Sequence, residues 1–298
     1  MSLQFLLDGL ISGAMIGLAA IGVTLTYSIL RFSNFAHGDF IAWGAYAALV
    51  VVGALGGSTA IKPLSFGLPL IAALIVAMAL TALLALVLDW LLFARLRARG
   101  QSIIVVMASF GASMALRNLL EFIFTSRPGY FSRAIQMAMP LGFGIKITAD
   151  QVALLGLTLV LVTGMHLFMQ HSQMGREMRA YSQNPALAKV VGIDGAKVVR
   201  ATWILGAALA CASGVMVGTL VQIRPLMGLD LLLPIFAAAI LGGIGSVSGA
   251  VLGGLIIGVS GSAAVQFVGA EWRSAVAFVI LMAVLLVRPT GLFGVAER

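Results

Sequence analysis

Long apolar segments separated by short polar stretches run through the whole chain. About 20 apolar residues in helical form are enough to cross the hydrocarbon core of a bilayer. The seventh segment is short for a full span. The pattern predicts an all-α polytopic membrane helix bundle with nine spans, or with eight spans and a re-entrant or broken piece. The segments lie at residues 3–30, 38–56, 66–93, 102–125, 150–170, 201–223, 228–243, 249–268 and 273–288.

Glycines recur every four residues in two of these regions. This spacing puts the glycines on one face of a helix, where the lack of side-chain bulk lets two backbones approach closely. We therefore predict that the glycines are helix-packing positions. The stripes are Gly9, Gly13 and Gly17 in the first segment, and Gly245, Gly249 and Gly253 at the eighth.

The chain also contains a weak two-fold internal repeat. A glycine-striped segment at 9–30 is followed by the polar patch RFSNFAHGD at 31–39, and one at 206–223 is followed by RPLMGLD at 224–230. Many transporters are built from two such halves, with the substrate path at interrupted helices. The repeat therefore places an interrupted polar patch after the first helix of each half.

Composition and charge fit a membrane protein. The chain is 61% hydrophobic and 9% charged, whereas soluble domains carry roughly 25% charged residues. The net charge of +8 comes from Lys and Arg in short loops, where they set topology, so it does not predict nucleic-acid binding. The single cysteine, Cys211, lies in an apolar segment.

Basic residues fall mainly between alternate segments, and the positive-inside rule assigns that side to the cytoplasm. The N-terminus is then periplasmic, the C-terminus is cytoplasmic, and the loop 126–149 is a periplasmic element. The cytoplasmic set comprises Arg95, Arg97, Arg99, the loop 171–200, Arg288 and Arg298, and the opposite set comprises Lys62, Arg127, Arg133, Lys146 and Arg273.

The loop 171–200 is the most polar long stretch and carries its own helix signals. Residues 174–181 can form a short helix, and Asn184-Pro185 is a start signal for a second one. Gly192 is suited to end that second helix in a left-handed conformation. The loop is either a folded cytoplasmic element that another protein binds, or a solvated basic loop that fixes the orientation of the chain in the membrane.

The sequence lacks the residues that catalysis or ATP hydrolysis would need. It has no GxxxxGK[ST] loop, no metal-ligand cluster and no set of catalytic residues, so we predict neither an enzyme nor a bound cofactor. Most carboxylates lie near segment ends, which argues against ion coupling. Arg117 and Glu121 are four residues apart near one helix end and could pair.

The patch at Asn34, His37 and Asp39 is the strongest candidate for a translocation path. These side chains are costly in hydrocarbon unless they face water or a partner group. One interpretation is an interfacial turn on the cytoplasmic side, with Asp39 favoured near a helix start. The other is a broken helix that lines the pathway.

Four stretches distributed over almost the whole chain carry a resemblance to a known family. They are GLAAIGVTLTYSILRFSNFAHGDFIAWGAY (17–46), GREMRAYSQNPALAKVVGID (175–194), LGGIGSVSGAVLGGLIIG (241–258) and LLVRPTGLFG (285–294). In these stretches the chain resembles the inner-membrane permeases of the branched-chain amino-acid ABC transporters, specifically their LivH-type subunits, which implies one transmembrane permease domain over 1–298.

The resemblance implies a multi-subunit importer embedded in the lipid bilayer. A second, LivM-type permease would share the pathway, two cytoplasmic ATPases would hydrolyse ATP, and a periplasmic binding protein would deliver leucine, isoleucine or valine. The loop matching the family's coupling helix would dock into an ATPase. Carried over, its core here would be Gly175, Arg176, Arg179, Ala180, Asn184, Ala188 and Gly192.

Three other functions stay open at the level of sequence. The same fold could carry urea or short-chain amides, because similar permeases do so. An ion-coupled secondary carrier would need no ATPase, and Glu121 would then be its candidate coupling carboxylate. A non-transporting scaffold or sensor is the third, although the chain has no sizeable soluble output domain.

Overall fold

The structure is a computed structural model, and it describes residues 3–57, 60–98, 100, 102–132, 136–142, 145–288 and 290–293. Three basic residues used above to predict the topology, Arg99, Arg133 and Arg298, lie outside the described residues. Parts of the loop 126–149 lie outside them as well.

The described chain is a helix bundle with one small β-hairpin. Helix α3 continues through a π-helical turn, Asp89–Phe93, into α4, and a 3₁₀ turn at Ala270–Trp272 precedes α12. The strands are β1 (Met139–Gly142) and β2 (Ile145–Ile147), which pair antiparallel with a bulge. The α-helices are α1 (Gln4–Leu30), α2 (His37–Ala54), α3 (Leu68–Leu88), α4 (Ala94–Arg97), α5 (Ser102–Phe124), α6 (Ala149–His171), α7 (Gln173–Gln183), α8 (Pro185–Val190), α9 (Gly195–Leu220), α10 (Met227–Gly242), α11 (Val247–Phe267) and α12 (Arg273–Val287).

Eight helices of the described chain are long and apolar enough to span a bilayer, counting α3 with α4 and the 3₁₀ turn with α12. The predicted polytopic helical membrane bundle is confirmed. The ninth segment is α10, which has only 16 residues. It contains Pro234, whose ring removes one backbone hydrogen bond from the helix.

The two ends of the bundle are distinguished by the elements that lie there. We call the side with α7 and α8 the loop face, and the side with β1 and β2 the hairpin face. Helix α1 begins at the hairpin face, where the Gln4 side chain bonds both backbone groups of Lys146 at 3.1 and 2.8 Å. It ends at the loop face, where Arg31 donates to the Ser182 carbonyl.

Two three-helix units form the centre of the bundle. Helices α1, α2 and α3 make up the first unit, and α9, α10 and α11 make up the second. Helix α1 packs on α11 and α9, and α9 packs correspondingly on α3 and α1. The two lead helices run in opposite directions: Gly206 lies against Gly22, and Ser213 donates to the Met15 carbonyl at 2.9 Å. The weak repeat in the sequence is therefore an inverted structural repeat.

Each unit contains a helix that begins inside the bundle. We call residues 31–36, before α2, the first break, and residues 221–226, before α10, the second break. His37 at the start of α2 bonds the carbonyl of Ala19, eleven residues before the end of α1. At 1.5 Å per residue, α2 therefore begins about 16 Å along α1 from the loop face. The two broken helices cross where Gly38 meets Gly228.

The glycine stripes are packing positions, with one exception. A Cβ on Gly13 would lie 2.8 Å from the Gly254 carbonyl oxygen, and one on Gly9 would lie 2.6 Å from the Cα of Val259, so α1 and α11 are in backbone contact. Gly17 faces α11 as well, while Gly249 and Gly253 face α10. Gly245 differs from the prediction, because it lies in the turn between α10 and α11 with φ +93° and has space around it.

Candidate functional site

The first break enters the bundle and is held by polar contacts. The Asn34 Oδ1 accepts from the Ala36 N–H at 3.1 Å and so starts the turn that leads into α2. His37 donates its Nε2 proton to the Ala19 carbonyl at 3.1 Å. Asn34, His37 and Asp39 are at most 3% exposed. The patch is therefore an irregular turn between α1 and α2 that the bundle encloses, with Asp39 in the first turn of α2, and its place on a translocation path stays a prediction.

Asp39 pairs with a cation from a distant helix. The Arg117 Nε lies 3.5 Å from Asp39 Oδ1, and their side chains are 17% and 1% exposed. Arg117 also donates to the Ser113 hydroxyl at 3.1 Å. The four-residue spacing left a pair between Arg117 and Glu121 open. The structure instead turns the guanidinium towards α2, because Asp39 is buried directly beside that face of α5.

Helix α5 carries a polar stripe that faces the first break. Ser109 accepts from the Phe35 N–H at 3.2 Å, and the Trp43 indole donates to the Leu116 carbonyl at 3.1 Å. Ser109, Ser113 and Arg117 recur at four-residue spacing, so they share one face of the helix. We did not use this spacing in the sequence analysis, although it was available as a signal.

The second break has a different environment. Its Ile223 exchanges two backbone hydrogen bonds of 2.9 Å with Gly129, and its Gln222 side chain accepts from the Tyr130 hydroxyl at 3.2 Å. Its ion pair, Arg224 with Asp230 at 3.4 Å, has side chains that are 47% and 57% exposed.

The loop 171–200 folds into two short helices, close to the prediction. The Asn184 Oδ1 accepts from the N–H groups of Ala186 and Leu187 at 3.1 and 3.0 Å, which caps α8. Gly192 follows α8 with φ +89°, in the left-handed region. Asp194 then caps α9, so α7, α8 and α9 follow one another with little irregular chain between them.

The residues that the resemblance assigns to the coupling motif lie in different environments. Several hold the loop together: Gly175 packs against the Met169 backbone, Arg179 donates to the Met169 carbonyl, and Ala188 is buried. Arg176 donates to the His171 carbonyl at 2.8 Å. Ala180 is exposed on α7.

The exposed part of α8 is apolar, which the sequence analysis did not anticipate. Three large apolar residues, two on α8 and one directly after it, are exposed beside Ala186 and Lys189: Leu187, Val190 and Val191, which are 59%, 82% and 68% exposed. They point away from the bundle at the loop face, and we call them the α8 tip. Among the described residues, no cluster of three or more His, Cys, Asp or Glu side chains could hold a metal ion.

Comparison with known proteins assigns the family. Residues 5–285 match the family described as the permease component of the branched-chain amino acid transport system. No solved structure matches the chain.

Curated relatives match over nearly their full length. The chain is 31% identical to the high-affinity branched-chain amino acid transport system permease protein LivH of Escherichia coli, over 99% of this chain and 96% of that protein. It is 32% identical to BraD of Pseudomonas aeruginosa, with the same coverage. It is 29% identical to a probable LivH of Methanocaldococcus jannaschii, over 98% of this chain and 93% of that protein. The chain therefore belongs to the family of permease components of branched-chain amino acid transport systems.

Proposed function

We propose that this chain is the transmembrane permease subunit of an ATP-binding-cassette importer for leucine, isoleucine and valine. It forms the translocation pathway with a second, LivM-type permease, and a periplasmic binding protein supplies the amino acid. Two cytoplasmic ATPases hydrolyse the ATP, and this chain binds no cofactor. The loop face lies in the cytoplasm of a bacterial inner membrane, with the N-terminus periplasmic and the C-terminus cytoplasmic.

The α8 tip is the observation that carries this proposal. Three exposed apolar side chains on a short capped helix form a surface suited to the apolar groove of a partner protein. Lys189, on the same helix as the tip, and Arg200 line a cavity of about 710 Å³ between the loop and α3. A loop that only fixed orientation would not need an apolar tip.

The contacts of α7 and α9 give a route for force from the loop into the bundle. Gly175 and Arg179 hold α7 against the end of α6. Helix α9 begins directly after α8 and packs along α1, α2 and α3. Movement of the α8 tip by an ATPase therefore moves α9 against the opposite unit of the inverted repeat. Rocking of one unit against the other is how such repeats alternate access to a central path.

The test places negative charge on the α8 tip. We expect Val190→Glu with Val191→Glu to abolish co-purification of the ATPases and to reduce ATP-driven leucine uptake at least tenfold, because burying a carboxylate in an apolar groove is strongly unfavourable. Both positions are exposed, so the permease itself should fold normally. Pull-down of the ATPases and uptake into proteoliposomes measure the two effects.

Gln173→Glu is the matched control, because it adds a carboxylate to an exposed position of the same loop away from the tip. It should leave assembly and uptake unchanged. Undiminished assembly and uptake by the Val190→Glu, Val191→Glu variant would contradict the coupling role. Leucine uptake by the purified chain alone, driven by an ion gradient, would support the secondary-carrier alternative.

A further inference from the structure

The ion pair between Asp39 and Arg117 is poorly explained as a stabilising contact. Removing two charges from water costs more than their mutual attraction returns, unless hydrogen bonds satisfy the remaining donors and acceptors. Among the described residues, the two Asp39 oxygens and the Arg117 Nε lack a hydrogen bond of good geometry, and the groups that approach Asp39 are the Ser113 hydroxyl and Arg117 itself. Ionisable groups kept inside a membrane bundle at such cost mark a substrate or ion pathway.

Another buried polar atom in the first break lacks a hydrogen-bond partner among the described residues, and the two charged side chains of the pair differ in exposure. The Asn34 Nδ2, in the turn that leads into α2, is also buried without a hydrogen-bond partner among the described residues. At the seam between α2 and α5, the Arg117 side chain is 17% exposed and the Asp39 side chain is 1% exposed. A ligand that enters along this seam therefore meets the guanidinium first and the carboxylate second.

We infer that Arg117 and Asp39 form the binding site for the two charged groups of an α-amino acid, Arg117 holding the carboxylate and Asp39 the ammonium group. This inference rests on the proposed function and names the residues that contact the substrate. When the zwitterion enters, the Arg117–Asp39 contact is replaced by two contacts of opposite charge. No net charge is added to the interior, and each buried charge keeps a counter-charge.

The chemistry of each partner fits its role. A guanidinium presents several N–H donors in one plane and binds a carboxylate through two parallel hydrogen bonds. A carboxylate accepts from an ammonium group through either oxygen, and both Asp39 oxygens have that capacity. Before the ligand arrives, the two side chains neutralise each other, which keeps the empty site closed.

The surroundings of the pair suit an apolar substrate side chain. Phe35, in the first break, lies with its ring centroid 6.2 Å from that of Phe110 on α5 and 5.7 Å from that of Phe236 on α10. These three rings join the elements that meet at the seam. Small-molecule sites typically combine an apolar lining with a few polar groups that fix orientation. Phe110 precedes Arg117 by seven residues, so the aromatic cluster lies about 10 Å along α5 from the charged pair.

The test removes both charges at once, because one charge without the other would destabilise the fold. In Asp39→Asn with Arg117→Met, no buried charge is left unpaired, and such double replacements are often neutral for stability. The complete importer, in proteoliposomes with its binding protein and radiolabelled L-leucine, should assemble and hydrolyse ATP within twofold of the wild-type rate. Leucine uptake should fall at least tenfold.

Asp89→Asn with Arg97→Met is the matched control. That pair joins two charges at 2.7 Å, and its side chains are 11% and 23% exposed, so its burial is similar. It lies in the π-helical turn and α4 at the end of α3, where Phe93 packs against Phe32 of the first break. The control should keep assembly, ATP hydrolysis and leucine uptake within twofold of the wild type.

The outcomes separate a substrate site from a structural pair. Uptake at the wild-type level by the Asp39→Asn, Arg117→Met variant would overturn this inference but not the proposed function, because a structural pair tolerates this replacement. If that variant does not assemble, Arg117→Lys decides: it keeps the charge but loses the planar pair of donors, so assembly should persist while uptake falls severalfold, and unchanged uptake would overturn the inference. Absence of ATP-driven leucine uptake by the wild-type complex would instead overturn the proposed function, and the inference with it.

Discussion

The two breaks of the inverted repeat share a backbone arrangement and differ in almost every polar contact. At the first break, Asp39 is 1% exposed and paired with a residue of α5. At the second break, Asp230 is 57% exposed and paired with Arg224 of the same segment. The first is held by side chains of a neighbouring helix, whereas the second is held by backbone hydrogen bonds between Ile223 and Gly129.

This difference indicates what each part of the repeat contributes. The crossing of α2 and α10 at two glycines is common to both units, so it belongs to the architecture. The buried polar groups occur at only one of the two breaks among the described residues, so they are not needed to begin a helix inside the bundle. The asymmetry is what would be expected if one break binds a substrate and the other mainly supports it.

The largest effect on the free energy of unfolding should follow from adding a methyl group where α2 and α10 cross. A Cβ on Gly38 would lie 2.6 Å from the Gly228 carbonyl oxygen, so Gly38→Ala must push two backbones apart. Overpacking in a rigid interior typically costs about 1–3 kcal/mol and occasionally more. Because both contacting groups are backbone, we expect a loss of about 3 kcal/mol or more, measured as the free energy of unfolding in mixed micelles.

Gly156→Ala on α6 is the control for that substitution. No atom lies within 4 Å of its added Cβ, and alanine has the higher helix propensity. The control should be neutral or stabilised by up to about 1 kcal/mol. Equal stability of the two variants would mean that the crossing is not close-packed and that the two breaks need not share an architecture.

An effect of comparable size should separate the two ion pairs. Asp39→Asn leaves the Arg117 guanidinium without its counter-charge inside the bundle, which typically costs about 3–5 kcal/mol. Asp230→Asn removes a pair that is half exposed, for which about 0–1 kcal/mol is typical. Unfolding free energies of the two variants, under the same conditions, measure the difference. Similar losses at both sites would show that burial does not distinguish the breaks.

The sequence predicted local structure well and long-range pairing poorly, for a physical reason. Caps and turns depend on neighbouring residues, so the start of α8 at Asn184-Pro185 and its end before Gly192 could be predicted. The helical spans and the shortness of α10 followed from apolar length.

Tertiary contacts depend on which helix faces are brought together, and spacing alone does not determine that. The i,i+4 spacing therefore left Glu121 open as the partner of Arg117, whereas the fold brings Asp39 closer. The exposure of Leu187 beside the buried Ala188 likewise depends on the direction in which α8 faces, which only packing decides.

The smallest effect on stability should show which hydrogen bonds hold each of the two breaks in place. Ser109→Ala removes the hydroxyl that accepts from the Phe35 N–H, and an unpaired, partly buried donor costs about 1–2 kcal/mol. Tyr130→Phe removes the exposed bond to Gln222, and surface changes of this kind usually stay within about 0.5 kcal/mol. Hydrogen exchange at the Phe35 amide should accelerate in Ser109→Ala and not in Tyr130→Phe. Unchanged exchange in Ser109→Ala would mean that α5 does not hold the first break, and the asymmetry between the two breaks would then rest on the ion pair alone.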